Sequence, residues 1–388
     1  MVHVKRMHGI RRSNKPKPPS SHRFAEIAIA SALLTLAVGC AASRAPPASE
    51  TQTGACAAAA PLAFVCNAER PEDLVRIPGA PWVIASGFAR GAGLKLVDSE
   101  TRTARLWFEG SPDQIEHDAA AYPHCASPPP VSEFTTRGVS FRQHGPHWGV
   151  LHVVNHGGRE SIEVFRVDWG GEAPPRLQWN GCVPLGELVA NSVATFRDGS
   201  VIFTVLTLPG RTITDFVHGE NTGAVFAWRP SENMPRRLPG TELPGNNGLE
   251  TGRDETSFFV VAFGSREVIK FNRADSSAPV ARAQAPGFMP DNIHWDGDRL
   301  LAAGMTYDEP ACGGARRIID GVADTMRCHR GYVVAELDPQ TMQFRVIAYG
   351  EPNPAFNGAS AAIILDDALW LGSYQSDRIA TRRLPGAP

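Results

Sequence analysis

Polar oxygen donors recur along this 388-residue chain at the start of short apolar segments. Glu72, Asn191, Asn247 and Asn292 each precede an apolar run, and Asp291 adds a carboxylate beside Asn292. Two carboxylates and three amide oxygens, without sulfur or imidazole, are a hard ligand set that suits Ca²⁺ better than the smaller, more hydrated Mg²⁺. A single asparagine would merely cap a strand or turn. Five donors at equivalent positions predict a calcium site.

Each donor position belongs to a repeated pattern of one polar or small residue, an apolar alternation, a turn and a second apolar strand. Successive copies are 65, 54, 56, 45 and 67 residues apart, and they begin at Glu72, Arg137, Asn191, Asn247, Asn292 and Ala359. Further strand-like runs between the copies, such as "SIEVFRVDW" and "YVVAELD", can complete four strands per unit. We therefore predict an all-β fold, a six-bladed β-propeller whose innermost strands bring the six leading residues to the central channel. An irregular β-sandwich is the alternative.

Several segments also resemble the successive motifs of the paraoxonase and arylesterase family, within the gluconolactonase-like superfamily. They are "PEDL", "RGVSF", "VVNH" followed by "ESIEVFRV", "NSVATF", "NNGL" and "MPDNI". The resemblance runs from about Glu72 to Tyr374. It implies a six-bladed propeller that hydrolyses lactones and esters and whose catalytic calcium ion lies on the propeller axis. The calcium ligands that it implies are Glu72, Asn191, Asn247, Asp291 and Asn292. This set coincides with the one inferred from the repeat.

The chain departs from the family at two sites. The resemblance implies a catalytic histidine pair at positions 137 and 156, and here only His156 is a histidine, while Arg137 is too basic to accept a proton. Arg137 must turn away from the metal, pair with an acid or bind an anionic group of the substrate, which makes it a candidate substrate-binding residue. The family's second calcium would use Asp73, the carbonyl of Val139 and an aspartate that is Ser192 here, so we expect that site to be weak or empty.

The first 39 residues have the features of an export signal. Seven basic residues precede the apolar stretch "IAIASALLTLAV", which is too short for an ordinary transmembrane helix, and the following "AVGC" resembles a bacterial lipobox. We expect a signal peptide over residues 1–39, with Cys40 lipidated at the mature N-terminus. A plain signal peptide cleaved nearby is the alternative. Residues 40–66 would be a flexible linker, and residues 67–388 the propeller. The domain would then be anchored in the bacterial cell envelope, at the outer membrane.

Charge and cysteine content agree with an exported protein. Removal of residues 1–39 takes away seven basic residues and one acidic residue, and leaves 31 basic against 39 acidic residues, a net charge of −8. A nucleic-acid partner is therefore not expected. Six cysteines remain besides Cys40, which predicts three disulfides. The sequence leaves their pairing open, and we favour Cys312 with Cys328.

Two functions follow from these observations. The first is a calcium-dependent hydrolase of lactones or aryl esters, in which Ca²⁺ polarises the carbonyl group and His156, or an acid such as Glu250, activates water. The second is a non-catalytic, surface-tethered propeller that binds a ligand or protein and uses calcium for structure. The intact ligand set favours hydrolysis, whereas Arg137 favours binding, and a histidine such as His156 can also merely bond loop backbone. We expect a monomer in either case.

Overall fold

The computed structural model describes residues 56–384, apart from residues 172 and 231. Within them, β1 (Ala63–Cys66) is followed by six groups of strands. The first group consists of β2 (Leu74–Arg76), β3 (Trp82–Ala85), β4 (Lys95–Asp98) and β5 (Thr103–Leu106). The second consists of β6 (Thr136–Gly145), β7 (Trp148–Asn155), β8 (Ser161–Gly170) and β9 (Ala173–Pro184). The third consists of β10 (Ala190–Thr195), β11 (Val201–Val205), β12 (Ala224–Trp228) and β13 (Arg236–Arg237).

The remaining groups follow the same plan. The fourth consists of β14 (Asn246–Thr251), β15 (Ser257–Ala262), β16 (Glu267–Asn272) and β17 (Pro279–Gln284). The fifth contains β18 (Phe288–Asp296) and β19 (Arg299–Thr306), and then an insertion with β20 (Asp308–Glu309), β21 (Gly314–Ala315), β22 (Ile318–Ile319) and β23 (Val322–Ala323). It ends with β24 (Tyr332–Leu337) and β25 (Phe344–Gly350). The sixth consists of β26 (Ala359–Leu365), β27 (Ala368–Ser373) and β28 (Arg378–Arg383).

These groups form six antiparallel four-stranded sheets, which are the blades of a β-propeller. The sixth blade is completed by β1, which pairs with β28 and joins the two ends of the described chain. The expected linker over residues 40–66 therefore ends in a strand of the sixth blade. Each of the six predicted repeat copies forms the first two strands of one blade, so the prediction of a six-bladed propeller is confirmed.

Apolar side chains lie between neighbouring blades. In the described part of the chain they form six buried clusters, one for each pair of adjacent blades. Between the first two blades, for example, Phe108 packs edge-on against Phe134 and Phe165, with ring centroids 5.8 Å and 5.2 Å away. Each fully buried side chain of this size contributes about 1.5–3 kcal/mol. Burial of both faces of the inner strands explains why their sequences are almost continuously apolar.

Turn chemistry fixes the inner hairpins. In the third blade, the predicted turn pair Asp198-Gly199 joins β10 to β11. Gly199 has a φ of 81°, and the carboxylate of Asp198 accepts a hydrogen bond of 3.0 Å from the amide of Ser200. Glycine adopts this left-handed conformation without strain, and the aspartate side chain stabilises the turn. The pattern read from the sequence therefore has a local physical cause.

Three disulfides link the described cysteines, as predicted: Cys56 with Cys66, Cys125 with Cys182, and Cys312 with Cys328. The third closes the insertion of the fifth blade, as expected from the sequence. Disulfides persist in oxidising compartments, so the three bridges point to a location outside the cytoplasm. Among the described residues, no helix is long and apolar enough to cross a membrane. Cys40 and the expected signal peptide lie outside the described residues.

Candidate metal and catalytic site

The predicted ligands and Arg137 lie near the start of the innermost strands, and in four of these strands the register is irregular at that point. The pairing shifts between Thr136 and Val139 in β6, between Ala190 and Val193 in β10, between Asn246 and Leu249 in β14, and between Pro290 and Ile293 in β18. Each shift encloses one or two of the predicted residues. A β-bulge redirects a side chain and is frequent beside functional sites. The bulges therefore position the polar groups at the axis.

Two glycines allow neighbouring inner strands to approach at this level. A Cβ atom on Gly138 would lie 2.6 Å from Cα of Ser192, and one on Gly248 would lie 2.8 Å from Cα of Asn292. Neither distance is compatible with a real side chain. The glycine after Arg137 and the glycine after Asn247 thus permit close contact between blades, which brings the polar residues of adjacent strands within hydrogen-bonding distance.

Glu72 and Asn292 meet at the start of β2 and β18. The Nδ2 atom of Asn292 donates to Oε1 of Glu72 at 3.2 Å and to its backbone carbonyl at 3.3 Å. Both side chains are buried, and Oε2 of Glu72 and Oδ1 of Asn292 have no hydrogen-bond partner among the described residues. A buried acceptor without a partner is costly. The two oxygens are therefore suitably placed to bind a cation.

Two amides of the third and fourth blades lie beside this pair. Together the five side chains form what we call the acid ring: Glu72, Asn191, Asn247, Asp291 and Asn292. The Nδ2 atom of Asn191 donates to Oδ1 of Asn247, and Asn247 is in turn hydrogen-bonded to the carboxylate of Asp291. All three side chains are buried. The structure thus brings together all five predicted ligands, because hydrogen bonds join them into two adjacent groups at one end of the channel.

Burial strongly affects the two carboxylates of this ring. It raises the pKa of Glu72 well above its usual value, and the negative charges of Asp73 and Asp291 raise it further. Burial also raises the pKa of Asp291, although its hydrogen bond to Asn247 and the positive charge of Arg137 oppose the shift. Two buried acids with only one nearby guanidinium favour an additional cation. Together with the free oxygens, this fits a hard divalent ion.

Arg137, at the start of β6 in the second blade, is half-buried beside the proposed ligands. Its Nη1 atom donates to Oδ1 of Asn191 at 2.9 Å, and its guanidinium carbon lies 4.3 Å from the centre of the Phe88 ring. Burial lowers its pKa, while the carboxylates of Glu72, Asp291 and Glu160 favour its charge. One expectation from the sequence was that Arg137 turns away from the metal site. In the structure it instead lies close to acids. Its Nε atom has no partner in the described chain.

His156 directly follows β7 and is held at both ends. Its amide donates to the carbonyl of Thr135 at 2.9 Å, and its Nδ1 atom lies 2.7 Å from Oε2 of Glu160. The Nε2 atom is buried and has no partner among the residues described. The imidazole therefore bonds a carboxylate rather than loop backbone. A carboxylate on Nδ1 favours the tautomer with its proton there, which leaves Nε2 free to accept one.

Asp73 occupies a different environment from Glu72. Its Oδ2 atom accepts from the amide of Val139 at 2.8 Å, and its Oδ1 atom accepts from the amide of Leu74 at 2.9 Å and contacts Nε2 of His294 at 2.6 Å. The Nδ1 atom of His294 lies 3.6 Å from Oε2 of Glu250. An imidazole thus bridges two carboxylates beside the position where the resemblance implies a second calcium.

Glu250 lies further along the channel than the other candidate base. It lines a cavity of about 450 Å³ at the end where the inner strands finish, together with His294, Trp295 and Arg142. His156 instead follows the last residue of β7, Asn155, which pairs with Thr136 at the start of β6. Glu250 and His156 are therefore near opposite ends of the inner strands, and His156 is the one on the side of the candidate ligands.

Sequence reasoning missed three residues that the structure adds to this region. Glu160 orients His156. The ring of Phe88 packs against the guanidinium of Arg137. Arg316 extends from the insertion of the fifth blade to the same end of the channel. Glu160 was visible as an acid four residues after His156 in a short loop. The other two come from distant parts of the chain, and no local pattern identifies them.

Comparison with protein-family models and with curated proteins gives no match. The solved structures that are similar to this chain include the following three, each at low identity. A gluconolactonase from Xanthomonas campestris, XC5397, has 17% identity and a TM-score of 0.49, over 84% of this chain and 89% of its own. A luciferin-regenerating enzyme has 10% identity and a TM-score of 0.47, over 83% and 94%. A chain of a nidogen–laminin complex has 9% identity and a TM-score of 0.43, over 84% and 90%. A shared fold does not fix function, and the resemblance to paraoxonases stays a prediction.

Proposed function

We propose that this protein is an exported, calcium-dependent hydrolase of lactones or esters. The observation that carries the proposal is the buried ring at the start of the inner strands, where Oε2 of Glu72 and Oδ1 of Asn292 have no partner among the described residues. The ring lies on the same side of the propeller as a histidine whose Nε2 atom is also unpartnered. A cation site beside a potential general base is the arrangement that metal-assisted hydrolysis requires.

The proposed ligands are the five oxygen donors predicted from the sequence, namely Glu72, Asn191, Asn247, Asp291 and Asn292. When bound, Ca²⁺ would act as a Lewis acid toward the substrate carbonyl and stabilise the developing oxyanion. Hydrogen bonds position the three amide side chains. Asn191 accepts from Arg137 and donates to Asn247, and Asn292 donates to the carboxylate of Glu72. Asp73 is proposed at most as part of a weak second site, because both of its carboxylate oxygens already accept hydrogen bonds.

His156 is proposed as the general base. The carboxylate of Glu160 holds the proton of the imidazole on Nδ1, so that Nε2 can take a proton from the attacking water and later return it to the leaving oxygen. Glu160 acts as a positioning residue and stabilises the imidazolium that forms. General-base catalysis of this kind contributes about 10²- to 10⁴-fold in rate.

Arg137 is proposed as a substrate-binding residue. One of its terminal nitrogens is bonded to Asn191 and its guanidinium is stacked on Phe88, so the group is fixed in place. The Nε atom remains as a donor for a substrate oxygen. A preorganised guanidinium loses little conformational entropy when it binds an acceptor. Arg137 would therefore orient the substrate rather than transfer protons.

The second candidate is a propeller that binds a ligand or protein and uses calcium structurally. One observation favours it: Nη1 of Arg137 donates to Oδ1 of Asn191, which is one of the proposed ligand atoms. A guanidinium in this position competes with the metal for that oxygen. Location supports neither candidate over the other, since a lipid anchor at Cys40 in the cell envelope is proposed for both.

An activity assay with and without metal separates the candidates. The purified full-length protein in detergent would be tested against a panel of small lactones and aryl esters, before and after treatment with a chelator. We expect hydrolysis that chelation abolishes and added Ca²⁺ restores. Metal binding without hydrolysis of any lactone or ester would instead favour the binding propeller.

A further inference from the structure

The insertion of the fifth blade extends over residues 307–331, between β19 and β24, at the end of the channel that carries the candidate metal site. The last residue of β19, Thr306, pairs with Phe288 at the start of β18, three residues before Asp291. The insertion therefore leaves the blade beside the proposed ligands. The disulfide between Cys312 and Cys328 closes it.

Arg316 in this insertion is a buried cation that has no counter-ion within salt-bridge distance among the described residues. Arg316 is only 7% exposed. Its guanidinium carbon lies 4.8 Å from the ring centre of Phe263 and 5.7 Å from that of Phe216. Its Nε and Nη1 atoms are buried and have no hydrogen-bond partner in the described chain. Aromatic rings offer the charge some stabilisation, but they do not replace the hydrogen bonds of a guanidinium.

A neighbouring arginine shows how the same insertion satisfies a buried guanidinium. Arg330 is 2% exposed, and its terminal nitrogens donate to the carbonyls of Tyr307 at 2.7 Å and Gly314 at 3.2 Å and to the carboxylate of Asp324 at 2.7 Å. The negative charge of Asp324 also acts on Arg316, but its Oδ2 atom is bonded to Arg330 and its Oδ1 atom makes no hydrogen bond to Arg316 or to any other described residue. Arg316 therefore lacks what Arg330 has, an acceptor of its own.

Tyr374 connects Arg316 with the acid ring. This residue directly follows β27, and its hydroxyl contacts the sulfur of Met305 at 3.6 Å. The half-buried phenol lies close enough to both groups to feel the negative charge of Asp291 and the positive charge of Arg316. Arg316 and the proposed ligand Asp291 therefore both lie close to the same tyrosine.

On the basis of the proposed hydrolase function, we propose that Arg316 binds a carboxylate on the substrate, so that the preferred substrates are lactones or esters with one anionic group. Among the described residues, no carboxylate forms a salt bridge with Arg316, and its Nε and Nη1 atoms have no hydrogen-bond partner. A single substrate carboxylate would neutralise the guanidinium. A planar carboxylate can accept two parallel hydrogen bonds from one edge of a guanidinium, which pairs Nη2 with either Nε or Nη1.

A matched pair of substrates tests the proposal. The carboxylate lactone 5-oxotetrahydrofuran-2-carboxylate and the corresponding carboxamide have nearly the same shape but differ in charge. We expect the wild-type full-length protein to prefer the carboxylate. Arg316→Gln should lower kcat/KM for the carboxylate by about tenfold or more, as expected for a charge-assisted hydrogen bond, and change kcat/KM for the carboxamide less than about twofold. Arg316→Lys should retain part of the preference, because it keeps the charge.

Arg253→Gln is the matched control. The Arg253 guanidinium carbon also lies 4.8 Å from an aromatic ring centre, that of Trp295, but it lines the cavity at the opposite end of the channel. This variant should leave both kcat/KM values unchanged. Equal losses for the two lactones in Arg316→Gln, or no loss for either, would overturn the proposal. Thermal melting of each variant would show whether an equal loss comes from unfolding.

Failure of the hydrolase proposal has a different signature, which is no turnover of either lactone by the wild type. In that case calorimetry with the same two compounds decides whether Arg316 binds carboxylates. Binding of the carboxylate that Arg316→Gln weakens by about tenfold, with no binding of the carboxamide, would support the anion site without catalysis. Equal binding of both compounds, or no binding of the carboxylate, would refute it.

Discussion

The Nε2 atom of His294 lies 2.6 Å from Oδ1 of Asp73. An imidazole of the fifth blade is thus hydrogen-bonded to a fully buried carboxylate that directly precedes the first strand of the first blade. The other ring nitrogen lies 3.6 Å from Glu250 of the fourth blade. Burial disfavours a charge on His294, but the carboxylates of Asp73 and Glu250 outweigh it and raise the pKa of the imidazole to about 10. His294 is therefore a cation at neutral pH, and it connects three blades around the channel.

Replacement of His294 by leucine should strongly destabilise the propeller. The change leaves Asp73 and Glu250 without their shared partner, and removing one member of a buried ion pair typically costs about 3–5 kcal/mol. Denaturant unfolding of His294→Leu would measure the loss. His124→Gln, at an exposed position, is the control and should cost less than about 0.5 kcal/mol. A loss for His294→Leu as small as that of the control would contradict the proposed bridge.

Calcium should stabilise the folded protein, and the stabilisation should depend on Asn247. Binding to the native state alone contributes about 2.7 kcal/mol when free Ca²⁺ is 100 times the dissociation constant. A chelator should accordingly lower the Tm of the wild type. Asn247→Ala should weaken Ca²⁺ binding and reduce this shift, whereas Asn272→Ala, at an exposed turn, should leave it unchanged. An unchanged Tm in excess chelator, with no metal in the purified protein, would argue against the calcium site.

The sequence was sufficient to predict the fold because the repeat is local. Each copy contains the first two strands of a blade. Its alternating apolar residues and its turn residues lie within a segment of about 15 residues. The position of a leading residue such as Asn191 then follows from the blade geometry. The closure of the sixth blade by β1 could not be predicted in this way, because Ala63–Cys66 pairs with residues more than 300 positions later in the chain.

The site was predictable only in part for the same reason. Oxygen donors recur at equivalent positions, and this made the ring of ligands recognisable. Arg316 belongs to an insertion outside the repeated pattern, so its approach to the channel depends on tertiary contacts with Phe216 and Phe263. His294 looked like one alternating residue of a strand. Only the structure shows the carboxylates on either side of it.

Glu160→Gln should lower kcat without a comparable change in KM. The variant keeps a hydrogen-bond acceptor near Nδ1 of His156 but removes the charge that stabilises the imidazolium, so we expect a decrease between about tenfold and 10²-fold. His156→Gln should lower kcat further. Initial rates over a range of lactone concentrations would check both. A Glu160→Gln variant with wild-type kcat would show that His156 does not depend on this carboxylate.

The mature protein should begin at Cys40 and carry lipid. The prediction rests on the apolar stretch that ends in "AVGC" and on the small residues before the cysteine. Mass spectrometry of protein purified from bacterial membranes would detect the added acyl groups. Cys40→Ser should release the protein from the membrane fraction or leave its signal peptide uncleaved. An unmodified N-terminus elsewhere in the wild type would point to an ordinary signal peptide instead.

Stability should decrease in mild acid because of His152 on β7. This histidine is 7% exposed, its Nδ1 atom has no partner among the described residues, and burial, with the positive charges of His144 and Arg142, lowers its pKa to about 3. The unfolded chain binds a proton at this position below about pH 6.5, whereas the folded chain does not until about pH 3. The unfolded state therefore holds more protons between these values. The contribution of His152 to stability is complete above pH 6.5 and decreases by up to about 1.4 kcal/mol for each pH unit below it.

His152→Leu should remove this dependence, so that the free energy of unfolding of the variant relative to the wild type increases from pH 6.5 to pH 4. Denaturant unfolding at several pH values in excess chelator measures the difference, and acids common to both proteins cancel. His147→Gln, at an exposed histidine, should follow the wild type, and parallel curves for His152→Leu and the wild type would show that His152 is protonated in the folded protein.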